Sequence, residues 1–398
     1  MNKLIIILFI LPFFSTAQLT ADQEQKIDSL NNIINNANND TIIINSYKEW
    51  SFILRYSDPK SELKILEKID SLCSFNKEKK SSQKEKVYFQ VSQAWVKNKL
   101  GLAYKKKGEA IIAIDFFNHS AALNLEIENK IGVATAFNNL GIAHAMLSEY
   151  DKAIEYFSKS LEIKIALRDK KATASSLANI GVVYQNIGNY DKAIDYFYKS
   201  LKICEVIKYK MGMASALNNI GVIYLEQNNY DKAIQYQKKC LKINLDVDNK
   251  NLYSTSLNNL GIIYGYKKDF DMAFDYLRKS LTIFQEIGNK KGVADVYFDI
   301  GIIYAKKMKD KKALESFYKS VEIRKEIGDK MGISLSMIGI SNIRRGKGHY
   351  KKAIRYGKHS LEIAQEIGSL PTIKLASESL WKTHKKMNNF KESLLMHE

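Results

Sequence analysis

The sequence reads as an all-α fold, an α-solenoid of antiparallel helix hairpins, and three observations say so. First, one pattern recurs on a forty-residue beat. Gly101, Gly141, Gly181, Gly221, Gly261 and Gly301 keep it, as do Ala113 to Ala353 and the series Ser120, Ser160, Ser200, Cys240, Ser280, Ser320, Ser360. Self-similarity at a fixed period of this size marks stacked supersecondary units. Second, apolar residues within a unit step by three and four: Phe137, Leu140, Gly141 and His144 share one helical face, and Ala153, Phe157 and Ser160 share another. Third, no proline interrupts the chain between Pro59 and Pro371, so long helices can run unbroken.

The elements follow in order. Residues 1–17, "MNKLIIILFILPFFSTA", combine Lys3, an apolar run from Leu4 to Phe14 and a small-residue end, the arrangement of a secretory signal peptide. The run is shorter than the roughly 17 residues that a membrane-spanning helix needs. The mature chain is therefore expected in a periplasm or outside the cell. Residues 18–86 hold N-terminal helices, with one degenerate repeat over Thr41–Asn76 and a charged linker, "KEKKSSQKEK", over Lys77–Lys86.

Seven regular units occupy 87–373, with frames starting at residues 94, 134, 174, 214, 254, 294 and 334. In each, a polar turn such as "IGNYD" joins two helices, and Asp151, Asp191, Asp231 and Asp271 are expected to cap the second. The mid-helix glycine costs about 1 kcal/mol relative to alanine. Its recurrence implies close approach of another helix, with the small residues at the Ala153 and Ser160 positions as expected partners. Ser341 and Trp381 replace the glycine in the last two units and put tight packing there in doubt. Residues 374–398 form a final repeat whose second helix starts near Lys391 and stops at Glu398, leaving Leu394, Leu395 and Met396 uncovered. The expectation is a chain cut short.

The wording "FNNLGIAHAMLSEYDKAIEYFSKSL" and "LANIGVVYQNIGNYDKAIDYFYKSL" resembles the tetratricopeptide repeat family. That family's pattern sets a large residue, Leu-Gly, Tyr, Ala, Phe and Ala along a helical hairpin. The forty-residue unit, with loops such as "EIGNKKG" and "EIGDKMG" in place of the family's proline, is similar to the long-helix variant in kinesin light chains. The resemblance implies a right-handed superhelix whose first helices line a concave surface that binds an extended peptide or a partner helix. Signal peptide, degenerate first unit and repeat wording together resemble the sensory regions of Bacteroidota-type signalling proteins. There a transmembrane span and a histidine kinase or DNA-binding domain follow.

At 100° per residue, the arc of the first helices opposite the core carries Asn138, Asn139 and Ile142; Asn179, Val182 and Gln185; Asn218, Asn219 and Val222; Asn258, Asn259 and Ile262; then Asp299, Ile302 and Asn342. Asparagine both donates and accepts, so a ladder of them can pair with peptide backbone of any sequence. The aliphatic stripe beside it suits side-chain anchors. The competing role is structural, with the asparagines bonded between neighbouring helices. Asp299 breaks the ladder with a charge.

Other functions find little support. A net charge of +18 invites a nucleic-acid partner, but the lysines are spread through every repeat and the chain is expected to be exported, so none is assigned. Cys73, Cys204 and Cys240 have neither the number nor the spacing of a disulfide framework or zinc site. His144 and His384 sit at a core position of the repeat, and His119 and His359 recur in equivalent places. No HExxH motif, phosphate-binding glycine loop or serine elbow occurs, so no catalytic, cofactor or metal residue is assigned. The expected function is an exported solenoid that binds protein or peptide, as the sensory region of a membrane signalling protein. A stand-alone periplasmic scaffold for an envelope complex is the alternative. Membrane contact is expected only through a further C-terminal span, and homodimerisation is left open.

Overall fold

The computed structural model describes residues 19–78 and 82–389. The expected signal peptide and the short helix after Lys391 lie outside them. Among the described residues there are eighteen α-helices and no strand. The chain divides into two compact units, meeting between Leu100 and Gly101.

The first unit holds α1 (Ala21–Asn36), α2 (Asp40–Ser57), α3 (Pro59–Glu78) and the start of α4 (Gln83–Lys106). Thr20 and Gln23 close a capping box on α1, and Asn39 accepts the Thr41 amide at the start of α2. The degenerate repeat is the hairpin α2–α3, with Pro59 at the first helical position, where its missing N–H leaves no bond unmade. The charged linker is corrected: α3 runs through Glu78, and Gln83–Lys86 form the first turn of α4. Ser82 and Glu85 make that turn a second capping box, their side chains bonding each other's backbone N–H at 2.9 and 3.3 Å.

The second unit continues with α5 (Ala110–Glu126), α6 (Lys130–Met146), α7 (Tyr150–Ala166), α8 (Lys170–Ile187), α9 (Tyr190–Val206), α10 (Lys210–Glu226) and α11 (Tyr230–Asp246). It goes on through α12 (Lys250–Tyr266), α13 (Phe270–Glu286), α14 (Lys290–Lys306), α15 (Asp310–Glu326), α16 (Lys330–Gly346), α17 (Tyr350–Glu366) and α18 (Leu370–Lys386). Even-numbered helices from α6 are the first of each pair, and odd-numbered ones from α7 the second.

The backbone repeats every twenty residues, twice as often as the sequence. A residue with positive φ ends each helix, from Gly108, Glu128 and Ser148 through Gly348, Gly368 and Asn388. In all of these turns but the one before α12 the next amide reaches back to the helix, as Asn289 N–H does to Phe284 O at 2.9 Å. This is a left-handed helix stop, used both inside a hairpin and between hairpins. The stretches expected as loops, such as "EIGNKKG", are therefore three-residue turns, here Ile287-Gly288-Asn289.

The cap assignment moves by two residues. Asn189, Asn229 and Asp269, not the aspartates at 191, 231 and 271, accept the amides of Lys192, Lys232 and Met272. The aspartates lie in the first turn, where they complement the helix dipole. The first helices use the same device at Asn129, Asp169, Asn249, Asn289 and Asp329.

The glycine beat marks close approach, but not to the small residues. A Cβ at Gly141 would stand 2.7 Å from the Phe157 ring, and one at Gly181 2.8 Å from Phe197. The bare backbone makes room for a fully buried aromatic. The small serine instead ties the hairpin together: Ser160 Oγ donates to Ala134 O at 2.7 Å, Ser200 to Ala174 O at 2.8 Å and Ser320 to Ala294 O at 2.9 Å. Cys240 holds the same place, with Sγ 3.3 Å from Ala214 O. Where Ser341 replaces the glycine, packing stays tight because Gly357 replaces the aromatic and Leu380 fills the space.

Successive first helices pack directly on one another (α6 on α8, α8 on α10, α12 on α14, α14 on α16). Second helices meet their counterparts through single side chains, as Tyr198 meets Tyr236. The array therefore curves toward the first helices, whose outward arc becomes its inner face.

Candidate partner-binding groove

Curvature decides which expected groove residues can be reached. Val182 is exposed, and Asn138, Ile142, Asn179, Gln185, Asn219, Asp299, Ile302 and Asn342 are half-buried. Asn139, Asn218, Val222, Asn258, Asn259 and Ile262 are buried. The expectation of one continuous open ladder is thus corrected. The inner face is open at α6–α8, closed at α10–α12 and partly open again at α14–α16.

The asparagines bond across neighbouring first helices. Asn179 Nδ2 donates to Asn138 Oδ1 at 3.1 Å, Asn259 Nδ2 to Asn218 Oδ1 at 2.9 Å, and Asn258 Nδ2 to Asp299 Oδ2 at 2.7 Å. Gln237, standing where other units have Phe, sends Nε2 to Asn218 Oδ1 at 2.9 Å. Buried and half-buried asparagines alike are thereby tied into the array.

At α6–α8 the open stretch contains a pocket of about 360 Å³, lined by Thr135, Asn138, Lys164, Lys171, Ser175 and Asn179 among others. Lys164, from the second helix α7, reaches between the two first helices and donates to Ser176 Oγ at 2.7 Å. Burial holds its ammonium below the ordinary lysine range. Neither Lys164 nor Lys171 was assigned to the groove from sequence. Lys164 belongs to the hairpin partner of α6, and Lys171 lies one turn before the arc considered.

At α14 the surroundings differ. Burial pushes the Asp299 carboxyl up to about 7, against the opposing bond from Asn258. Arg324 approaches Asp295 at 2.5 Å and Asp329 at 3.8 Å. Burial lowers Lys291 to about 8. Tyr266 is raised to about 12, by burial first and then by the Asp299 charge. A cleft of about 490 Å³ opens between α13 and α14, lined by Asp271, Phe274, Arg278, Leu281, Ile300 and Tyr304. Gly265 lies against Ile303, whose terminal methyl would have to move for a Cβ to be accommodated. Here α12 and α14 pack directly on one another while α13 and α14 leave a cleft between them.

His144 stacks on Tyr156 with ring centroids 5.3 Å apart, and its Nδ1 lies 2.5 Å from Glu149. His384 is likewise buried. Among the described residues, no group of three or more His, Cys, Asp or Glu side chains could hold a metal ion. No described helix is long and apolar enough to cross a membrane.

Comparison with solved structures places this architecture. Aspartyl phosphate phosphatase F from Bacillus subtilis superposes with a TM-score of 0.59 at 15% identity, over 90% of this chain and 97% of that one. The apo form of the quorum sensor NprR from B. thuringiensis gives 0.59 at 15%, over 86% and 98%. A Rap protein complexed with Competence and Sporulation Factor gives 0.56 at 14%, over 94% and 95%. At such identities the likeness is one of fold. No curated protein sequence matches the chain. The tetratricopeptide repeat profile matches residues 92–166, 172–246, 252–326 and 292–366, well over half of the sequence. With this match and the glycine-to-aromatic hairpins on which it rests, the chain belongs to the tetratricopeptide repeat family.

Proposed function

We propose that the chain is an exported binding module that takes a protein or peptide partner along its inner face, as the sensory region of a membrane signalling protein. The observation that carries the binding reading is the open stretch at α6–α8. There Asn138 and Asn179 sit beside Val182, a large aliphatic side chain 39% exposed on an inner face that is otherwise half-buried or closed. Backbone-pairing amides next to apolar anchors suit an extended peptide. The Rap protein of the same fold is complexed with Competence and Sporulation Factor, and the shared fold supports a comparable use here.

Export is supported by the leader-like composition of residues 1–17, and the signalling role by the resemblance of the repeats to Bacteroidota-type sensor regions. The test is the apparent mass and membrane partitioning of the native protein in its own cells. A product well above 45.5 kDa that only detergent extracts supports a sensor arm. A soluble periplasmic product slightly below that mass favours the stand-alone scaffold.

A further inference from the structure

We propose that Asp299 is the specificity point of the groove and selects partners that present a cationic group, an ammonium or guanidinium, to the inner face of α14. The inference rests on the peptide-binding reading above and names what that groove prefers.

Three observations carry it. Asp299 is the one acid in its register, following the four asparagines Asn139, Asn179, Asn219 and Asn259. Its neighbour Asn258 is 92% buried by its 8% exposure, and while Nδ2 donates to Asp299, Oδ1 has no hydrogen-bond partner. The Asn258 amide thus leaves a buried acceptor unpaired next to the acid, as a site does that is completed by a further polar group. Finally, the local charge is unbalanced. Asp295, Asp299 and Asp329 face Arg324 and Lys291, leaving one negative charge when Asp299 is ionised. Arg324 is spent on Asp295 and Asp329. A ligand cation would complete the set. An anionic ligand would meet repulsion, and a neutral one would leave Asp299 sharing only Arg324, which Asp295 and Asp329 already hold.

The groups facing Asp299 give the site a pH signature. They are Asp295 on its own helix, Arg324 from α15, Tyr266 at the end of α12 and the Asn258 amide, with Lys291 on α14 and Asp329 before α16 acting through Asp295 and Arg324. Burial raises the Asp299 carboxyl to about 7, so its ionisation falls within the accessible pH range. A cation binds the ionised form, so affinity should rise with pH across about 6 to 8.

The experiment selects a phage library of random short linear peptides on the immobilised full chain and, in parallel, on Asp299→Asn. Thermal melting verifies that both fold. The wild type is expected to enrich Lys or Arg at one fixed position. Asp299→Asn should lose that enrichment and bind the selected peptide about tenfold or more weakly, as for a hydrogen bond to a charged group. Its affinity should also no longer rise across that pH range. Peptides enriched equally by both proteins, or without a cation, would overturn this inference and leave the groove reading standing. No peptide enriched by the folded wild type would overturn both.

Discussion

Two hairpins of the same array, α6–α7 and α16–α17, solve one packing problem in opposite ways. In the first, Gly141 yields space and Phe157 fills it. In the second the bulk has left the hairpin: Ser341 stands for the glycine and donates to Ala353 O at 2.8 Å. Gly357 stands for the aromatic, and Leu380 of the following helix occupies the vacancy. What the repeat preserves is a filled volume at each crossing, and the identity of the residue that fills it can change. The pair at Gly221 makes the same point, where the filler is Gln237, 1% exposed and bonded to Asn218.

The comparison can be broken at its strongest point. Phe157→Ala empties a site that is 2% exposed and should cost about 3–5 kcal/mol, read as a fall in the urea midpoint. A cost below about 1 kcal/mol would mean that the crossing collapses freely and the filled-volume view is wrong. Restoring the usual aromatic in the divergent hairpin tests the converse. Gly357→Phe should cost about 1–3 kcal/mol or more, because Leu380 already stands 2.7 Å from where the new Cβ would lie. Pairing it with Leu380→Ala should recover part of the loss.

Smaller effects sharpen the contrast between the regular α6–α11 stretch and the surroundings of α14. Asp299 has a folded pKa above its ordinary value, so the folded chain keeps a proton that the unfolded chain has lost. Its contribution to stability therefore falls as pH rises from the usual carboxylate range to about 7. Asp299→Asn removes that loss, so the melting temperature should gain a few degrees at pH 8 and little at pH 4. A pH-independent change would show that the carboxyl is solvated like a surface acid. Smallest of all, Met308→Gly should stabilise by about 0.5 kcal/mol. It relieves left-handed strain of about 1–2 kcal/mol at φ 57° but restores backbone freedom to the unfolded chain.

Much of the fold was legible because packing wrote it into the sequence on a forty-residue beat. Gly141 and Phe157, Ser160 and Cys240 all recur where helices cross. The twenty-residue backbone period was not legible. Its turns accept Glu128, Arg168, Lys208 and Met308 at positive φ as well as glycine, so no residue type announces them. The caps were misplaced by two residues because aspartate is conspicuous at 191 and 231, while the asparagines that bond the free amides stand just before the tyrosine.

For the groove, the register of asparagines and aliphatics could be read by stepping around a helix. Which of them face open space could not. Val182 and Val222 hold equivalent places, yet one is 39% exposed and the other 4%. That difference is set by the side chains packed around each valine in three dimensions, which the repeat register does not encode.

The most direct measurement is site-specific photo-crosslinking in the native cells. A photoreactive residue would be placed at Val182 on the inner face and, separately, at the exposed Lys202 on the outer helix α9. A discrete adduct from Val182, absent from Lys202 and lost in Asn179→Ala/Asn219→Ala at an unchanged melting temperature, is the expected result. An adduct from Lys202 alone, or one from Val182 indifferent to the asparagines, would contradict a partner held in the groove.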